Sequence, residues 1–194
     1  MAETTPEETV ESKAPTKPKR TTKRKAVEEH ARSYFDAIAS RDVEAIGDHW
    51  REDGVEDLVP IGMLRGREEI KDFFRETFAA MPDAEMTALR VVAGDRLAAV
   101  EWRMAGMFTG APFQGIDPTG NPVEVRGLDL LEIEDGEIVA NAAYYDGMNF
   151  ARQVGMLPPQ DSGAERAMKG AFNVVTKARR AIAERTAGGE GSGA

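Results

Sequence analysis

The chain has 194 residues, room for one domain with extensions, and its 41% hydrophobic residues can bury a sizeable core. It holds no cysteine, which excludes disulfides and thiolate chemistry. The net charge of −9 conceals a division: residues 1–25 and 161–194 are each net basic, while the body, 26–160, sets twelve basic residues against twenty-six acidic ones. An acidic body disfavours nucleic acid as a specific ligand, because phosphate binding needs a basic face. The N-terminus is polar and no long apolar run occurs, so neither a signal peptide nor a transmembrane segment is expected. A soluble, cytoplasmic protein is the plain expectation.

Residues 1–25 are rich in Thr, Pro, Lys and Glu with almost no apolar side chains, which predicts a disordered tail. Its end carries a basic cluster, Lys17, Lys19, Arg20, Lys23, Arg24 and Lys25. Such a cluster is either a solvated tail or a weak contact for an anionic surface.

The first helix follows from one stripe: Val27, His30, Ala31, Tyr34, Phe35 and Ile38. Asp42 is a suitable N-cap for a short second helix carrying Val43, Ile46 and Trp50. Residues 55–59 read as a short strand closed by Pro60 and Gly62. A third helix, about 67–80, places Ile70, Phe73, Phe74, Thr77 and Phe78 on one side and stops before Pro82.

Four strands are predicted next, at 87–93, 97–108, 122–134 and 137–146. Gly94-Asp95 and Asp135-Gly136 carry hairpin signals, and the turn at Asp117–Gly120 precedes the third of these strands. Alternation puts Val100, Trp102, Met104, Gly106 and Phe108 on one face of the second strand. In the third strand, Val123, Val125, Gly127, Asp129, Leu131 and Ile133 share a face. Asp129 is the anomaly there, a carboxylate among apolar neighbours.

Helices followed by consecutive long strands imply an α+β fold. The expected form is a cone-shaped, curved antiparallel sheet that wraps the N-terminal helices and leaves an internal pocket.

Several segments carry a resemblance: Tyr34-Phe35, Arg65–Glu68, Val100–Gly110, Gly115–Gly120, Glu134–Ile138 and Arg152–Gly155. Together they resemble a SnoaL-like domain of the nuclear transport factor 2 superfamily, over roughly residues 26–158. The resemblance implies a cone-shaped domain, often a homodimer, with a hydrophobic pocket. It also implies kinship with polyketide cyclases, which close a ring by an aldol reaction without a cofactor. By the same resemblance the cyclases' catalytic aspartate falls on Ala143, and a pocket histidine falls on Asp129. The acid is thus absent from its usual position, and a carboxylate stands in place of the histidine.

The remaining candidates divide by position. Asp146 precedes a helical stretch, 147–154, and is better placed as its N-cap than as a catalyst. Asp129 is either a pocket carboxylate, a buried partner of Arg103 or Arg126, or the mark of a different strand register. Tyr145 could donate its hydroxyl to a substrate oxygen. Tyr34, Trp50, Trp102, Met104, Phe108 and Ala143 are candidate ligand-binding residues, although most aromatic stripes are plain core. The two histidines and the absence of cysteine make no recognisable metal site, and no cofactor motif occurs.

A last helix is predicted over 161–187, with an apolar stripe (Ala164, Met168, Ala171, Phe172, Val175, Ile182) and a basic remainder (Lys169, Lys177, Arg179, Arg180, Arg185). Residues 188–194 read as a flexible tail. Two functions remain open. One is a cofactor-independent acid–base isomerase, cyclase or hydrolase on a small apolar, polyketide- or steroid-like ligand, with Asp129 and Tyr145 catalytic. The other is a non-catalytic ligand-binding or assembly module whose basic extensions recruit partners. Leu128 and Leu130, on the face opposite Asp129, point to a homodimer that covers them.

Overall fold

A computed structural model of the chain describes residues 19–189. In chain order they form α1 (Lys19–Ser40), α2 (Val43–Asp48), β1 (Trp50–Leu58), β2 (Gly62–Arg65) and α3 (Arg67–Ala80). Then come β3 (Glu85–Ala93), β4 (Leu97–Met107), β5 (Pro122–Glu134), β6 (Glu137–Tyr145), α4 (Gly147–Gln153) and α5 (Gly163–Gly189). Residues 1–18 of the expected tail, with Lys17, lie outside the described residues, as do 190–194 of the C-terminal one. Residues 19–25 are not tail: they are the first turns of α1.

The α+β class stands, but the cone does not. The six strands form one open sheet in the order β2-β1-β6-β5-β4-β3, neither closed nor curled into a cone. Nor is it wholly antiparallel, since β1 runs parallel to β6. Hairpin signals govern only strands that follow one another, and they hold for the antiparallel run from β3 to β6. β1 and β6 are separated by all of residues 59–136, and so long a connection leaves their direction free.

Local chemistry sets the element ends. Asp42 Oδ1 accepts from Ala45 N at 3.0 Å, so α2 starts where the N-cap predicts. α2 ends at Asp48, which leaves Trp50 as the first residue of β1 rather than a helical residue. Asp146 Oδ1 caps α4 through Asn149 N at 2.9 Å. Asp135 and Gly136 take φ of 50° and 86°, the left-handed geometry of a tight hairpin turn between β5 and β6.

The core sits between the sheet's inner face and the helices. Val27, Ala31, Tyr34, Phe35 and Ile38 of α1 are buried there, as are Val100 and Trp102 of β4 and Val123, Val125, Asp129, Leu131 and Ile133 of β5. Both strands therefore alternate as read. The 108–121 loop is tied to the end of α3 by Gly110 N to Ala80 O (2.9 Å) and Ala111 N to Ala79 O (2.8 Å). No helix among the described residues is long and apolar enough to cross a membrane.

Candidate functional site

Four adjacent strands contribute a continuous row of polar side chains on the inner face. Trp102 comes from β4, Asp129 from β5, Asn141 from β6 and Glu56 from β1. The register brings them together: Asn141 lies opposite both Leu131 and Glu56, and Trp102 lies opposite Gly127, two residues from Asp129. Trp102 Nε1 donates to Asp129 Oδ1 at 2.6 Å. Asn141 Nδ2 donates to Asp129 Oδ2 at 2.9 Å and to Glu56 Oε1 and Oε2 at 3.0 and 3.2 Å. The amide nitrogen of Asn141 thus donates to carboxyls on both sides, while its Oδ1 is buried without a hydrogen-bond partner among the described residues.

All four side chains are buried. Burial pushes the Asp129 carboxyl up to about 6, against the opposing pull of the Trp102 and Asn141 hydrogen bonds. Burial and the neighbouring Asp129 charge hold Glu56 well above the usual carboxylate range. Burial also raises Tyr34, with help from Glu56 and Asp129, and pushes Tyr145 up to about 12. Burial thus displaces both carboxyls of the site in the same direction, toward their protonated forms. The arginines that could have neutralised Asp129 face the other way. Arg103 pairs with Glu124 at 2.7 Å, and Arg126 pairs with Glu101. The buried ion pair is ruled out.

Asp129 and Glu56 both border a cavity of about 80 Å³ between the sheet and the helices. Of the residues proposed from sequence, Tyr34, Trp102, Met104, Asp129, Ala143 and Tyr145 line it. Trp50 and Phe108 do not. Trp50 is buried with its ring 6.0 Å from that of Tyr34. Phe108 is core, 2% exposed. Sequence reasoning missed Glu56 and Asn141, and also Phe73, Phe113 and Phe150. These three phenylalanines come from α3, the 108–121 loop and α4, and Phe113 bridges the other two at ring distances of 6.0 and 6.2 Å. They form an aromatic wall at one side of the cavity. No cluster of three or more His, Asp or Glu among the described residues could hold a metal ion.

With this geometry in view, the profile of the SnoaL-like polyketide cyclases matches residues 28–154, well over half the chain. The chain belongs to the SnoaL-like polyketide cyclase family. No curated protein matches the sequence. Solved structures share the fold of this SnoaL-like domain. AclR from Streptomyces galilaeus, a candidate hydroxylase, is 17% identical at a TM-score of 0.63, over 80% of this chain and 98% of that one. IdmH from Streptomyces antibioticus, a candidate polyketide cyclase, is 26% identical at a TM-score of 0.57, over 66% and 96%. A SnoaL-like protein from Jannaschia is 19% identical at a TM-score of 0.63, over 75% and 100%. In this SnoaL-like domain Ala143, the position assigned to the cyclases' aspartate, is the cross-strand partner of Asp129.

Proposed function

We propose that this SnoaL-like protein is a cofactor-independent acid–base enzyme acting on a small apolar ligand, with Asp129 as the proton acceptor and Tyr145 as a neutral donor. One observation carries the reading: a buried carboxylate without a cation partner faces an apolar cavity and titrates near 6. Such a group is poised between its ionised and protonated forms near neutral pH, where a general base works best. Tyr145, with its pKa pushed up to about 12, keeps its proton for a developing oxyanion. Isomerase, cyclase and hydrolase chemistry share this first step, removal of a proton from carbon or from water.

The cavity's 80 Å³ suits a small ligand. A polyketide- or steroid-sized ligand enters only if the wall of Phe73, Phe113 and Phe150 yields, or if Met86 and Met104 change rotamer, as flexible thioether side chains readily do. A second reading, a ligand-binding or assembly module, draws support from α5, whose Met168, Phe172, Val175 and Ile182 are exposed.

The test uses hydrogen–deuterium exchange at the carbon next to the carbonyl of a set of small apolar ketones, followed by proton NMR in deuterated water. Wild-type protein should accelerate exchange for at least one ketone. Asp129→Asn should lower that rate about a hundredfold or more with folding intact by circular dichroism. Ketones that bind without exchanging, or exchange that survives Asp129→Asn, would overturn the enzyme reading and leave the module.

A further inference from the structure

We infer that Glu56 is a third catalytic group of this site, the proton donor beside Asp129, with the Tyr145 hydroxyl donating a hydrogen bond to the same ligand oxygen. Glu56 keeps the proton of a Glu56–Asp129 pair and gives it to the carbonyl oxygen of the ligand, while Asp129 takes a proton from the adjacent carbon. The ligand is therefore a small enolisable ketone or ester. This rests on the acid–base reading of Asp129 above.

The geometry behind it is the shared amide. One nitrogen, Asn141 Nδ2, is bonded to both carboxyls, at 2.9 Å from Asp129 and 3.0 Å from Glu56. The two groups are thus separated by no more than two hydrogen-bond lengths, in surroundings that bury both. Like charges that close, away from water, do not both ionise, so the pair retains one proton around neutral pH.

Hydrogen bonding decides which carboxyl keeps it. Asp129 receives an N–H on each oxygen, one from Trp102 and one from Asn141. Glu56 has only the N–H of Asn141, divided between its oxygens. Donors stabilise the charged form, so the negative charge settles on Asp129 and the proton on Glu56. The other titratable groups acting here are Tyr34 of α1, itself neutral, and Asp57 beside Glu56, whose charge also favours the protonated form of Glu56. No cation among the described residues pairs with either carboxyl.

Both carboxyls line the same cavity, close enough for one small molecule to touch them together. The step then balances. The C–H bond breaks, its proton goes to Asp129, and its electron pair forms a C=C bond. The carbonyl π pair takes the Glu56 proton to become an O–H bond. A neutral enol results, with the single negative charge moved from Asp129 to Glu56. Reprotonation at the same or another carbon by Asp129, with Glu56 recovering its proton from the enol, restores the pair. Asn141, which touches both carboxyls and does not border the cavity, is a positioning residue.

The experiment measures ketone exchange against pH in wild type, Glu56→Gln and Asp129→Asn, together with carboxyl carbon-13 titrations of the wild-type protein. The wild-type rate should rise as Asp129 loses its proton near 6 and fall at higher pH as Glu56 loses its own. Glu56→Gln keeps the shape and an N–H donor but has no acidic proton. It should exchange at least about tenfold more slowly and lose the alkaline limb. A Glu56→Gln profile identical to wild type, with Asp129→Asn inactive, would overturn the Glu56 role and leave the Asp129 reading intact. Absence of exchange in wild type would instead remove that reading and this one with it. The carbon-13 titration needs no activity and no variant to fold: Asp129 should lose its proton before Glu56, and the reverse order overturns the assignment.

Discussion

A Cβ at residue 127 would lie 2.2 Å from Cζ2 of Trp102, so Gly127 leaves the space in which the Trp102 indole lies across β5. The two residues are cross-strand partners. Because nothing projects from Gly127, the indole reaches past it and delivers its N–H to Asp129, two residues along the same strand face. The glycine in the strand and the tuned carboxylate belong to one device.

Gly127→Ala should therefore act on Asp129 without touching it. The indole must move, and the hydrogen bond to Oδ1 breaks. Overpacking and the lost bond together should cost about 1–3 kcal/mol in thermal or urea unfolding. Loss of a donor to the charged form should also raise the Asp129 pKa above about 6. Trp102→Phe separates the two effects, since it removes the N–H without adding bulk. An unshifted indole N–H resonance in Gly127→Ala would show that the close approach is not what seats the ring.

Much of this site was legible because β4 and β5 are long enough to display their alternation. Asp129 stands out in a thirteen-residue strand as the one carboxylate on the buried face. Glu56 is the same kind of anomaly, an acid set between buried Gly54 and Leu58. It escaped notice because residues 55–59, read as a five-residue strand, are too few to reveal a period. The parallel pairing of β1 with β6 was equally hidden, since no turn sequence specifies partners so far apart in the chain. Trp50 shows the converse error: its helical spacing from Val43 and Ile46 suggested α2, while the chain had already turned into β1. The aromatic wall was illegible for another reason. Phe73, Phe113 and Phe150 meet only once three separate elements are in place.

The outer face of the sheet carries a prediction about assembly. Leu128 and Tyr144 are cross-strand partners there, 40% and 47% exposed, and Val92 nearby is 56% exposed. Around them run the ion pairs Arg126–Glu101 and Arg103–Glu124. An apolar centre with a charged rim is how interfaces are commonly composed. The protein should sediment as a homodimer at tens of micromolar, a range in which an interface of ordinary size is populated. Leu128→Lys should shift it to monomer without lowering secondary structure. Wild-type protein that sediments as a monomer would count directly against the covered face.

A second anchor lies at the start of α5. Ser162 Oγ accepts from Glu165 N at 3.1 Å, and Glu165 Oε2 accepts from Asp161 N at 2.8 Å, a reciprocal capping arrangement. Arg152 of α4 and Lys169 also reach the same carboxylate, each at 3.0 Å. These partners hold the Glu165 carboxyl down at about 2. Its folded value is depressed, so its contribution is present above the unfolded value of about 4.3 and lost as pH falls through about 2. Glu165→Gln keeps the size but loses the charge. It should loosen the 153–163 connection, read as faster limited proteolysis there, with little change in the midpoint of global unfolding. Cleavage rates equal to wild type would mean that the cap alone holds the helix start.

Asp129 should leave its mark on the pH dependence of stability, with the opposite sign to Glu165. Its folded pKa, about 6, lies above the unfolded value of about 3.9. The folded state therefore binds the proton more tightly than the unfolded chain. The stability tied to this group is fully present below about pH 4 and is lost as pH rises through about 6. Glu56 adds to the trend, since its carboxyl is displaced in the same direction by burial and by Asp129. Where folded and unfolded states differ by one bound proton, stability should fall by about 1.4 kcal/mol per pH unit. This pair of carboxyls should thus raise the melting temperature at pH 5 relative to pH 7.5, a window in which Glu165 stays ionised in both states. His30, its pKa lowered by burial, acts in the opposite direction across that window, in wild type and in Asp129→Asn alike. Asp129→Asn removes the titrating group, so the difference between the two pH values should shrink. A variant whose melting temperature tracks wild type across that window would show that Asp129 is already fully ionised at pH 5, and its role as a base tuned by burial would fall with it.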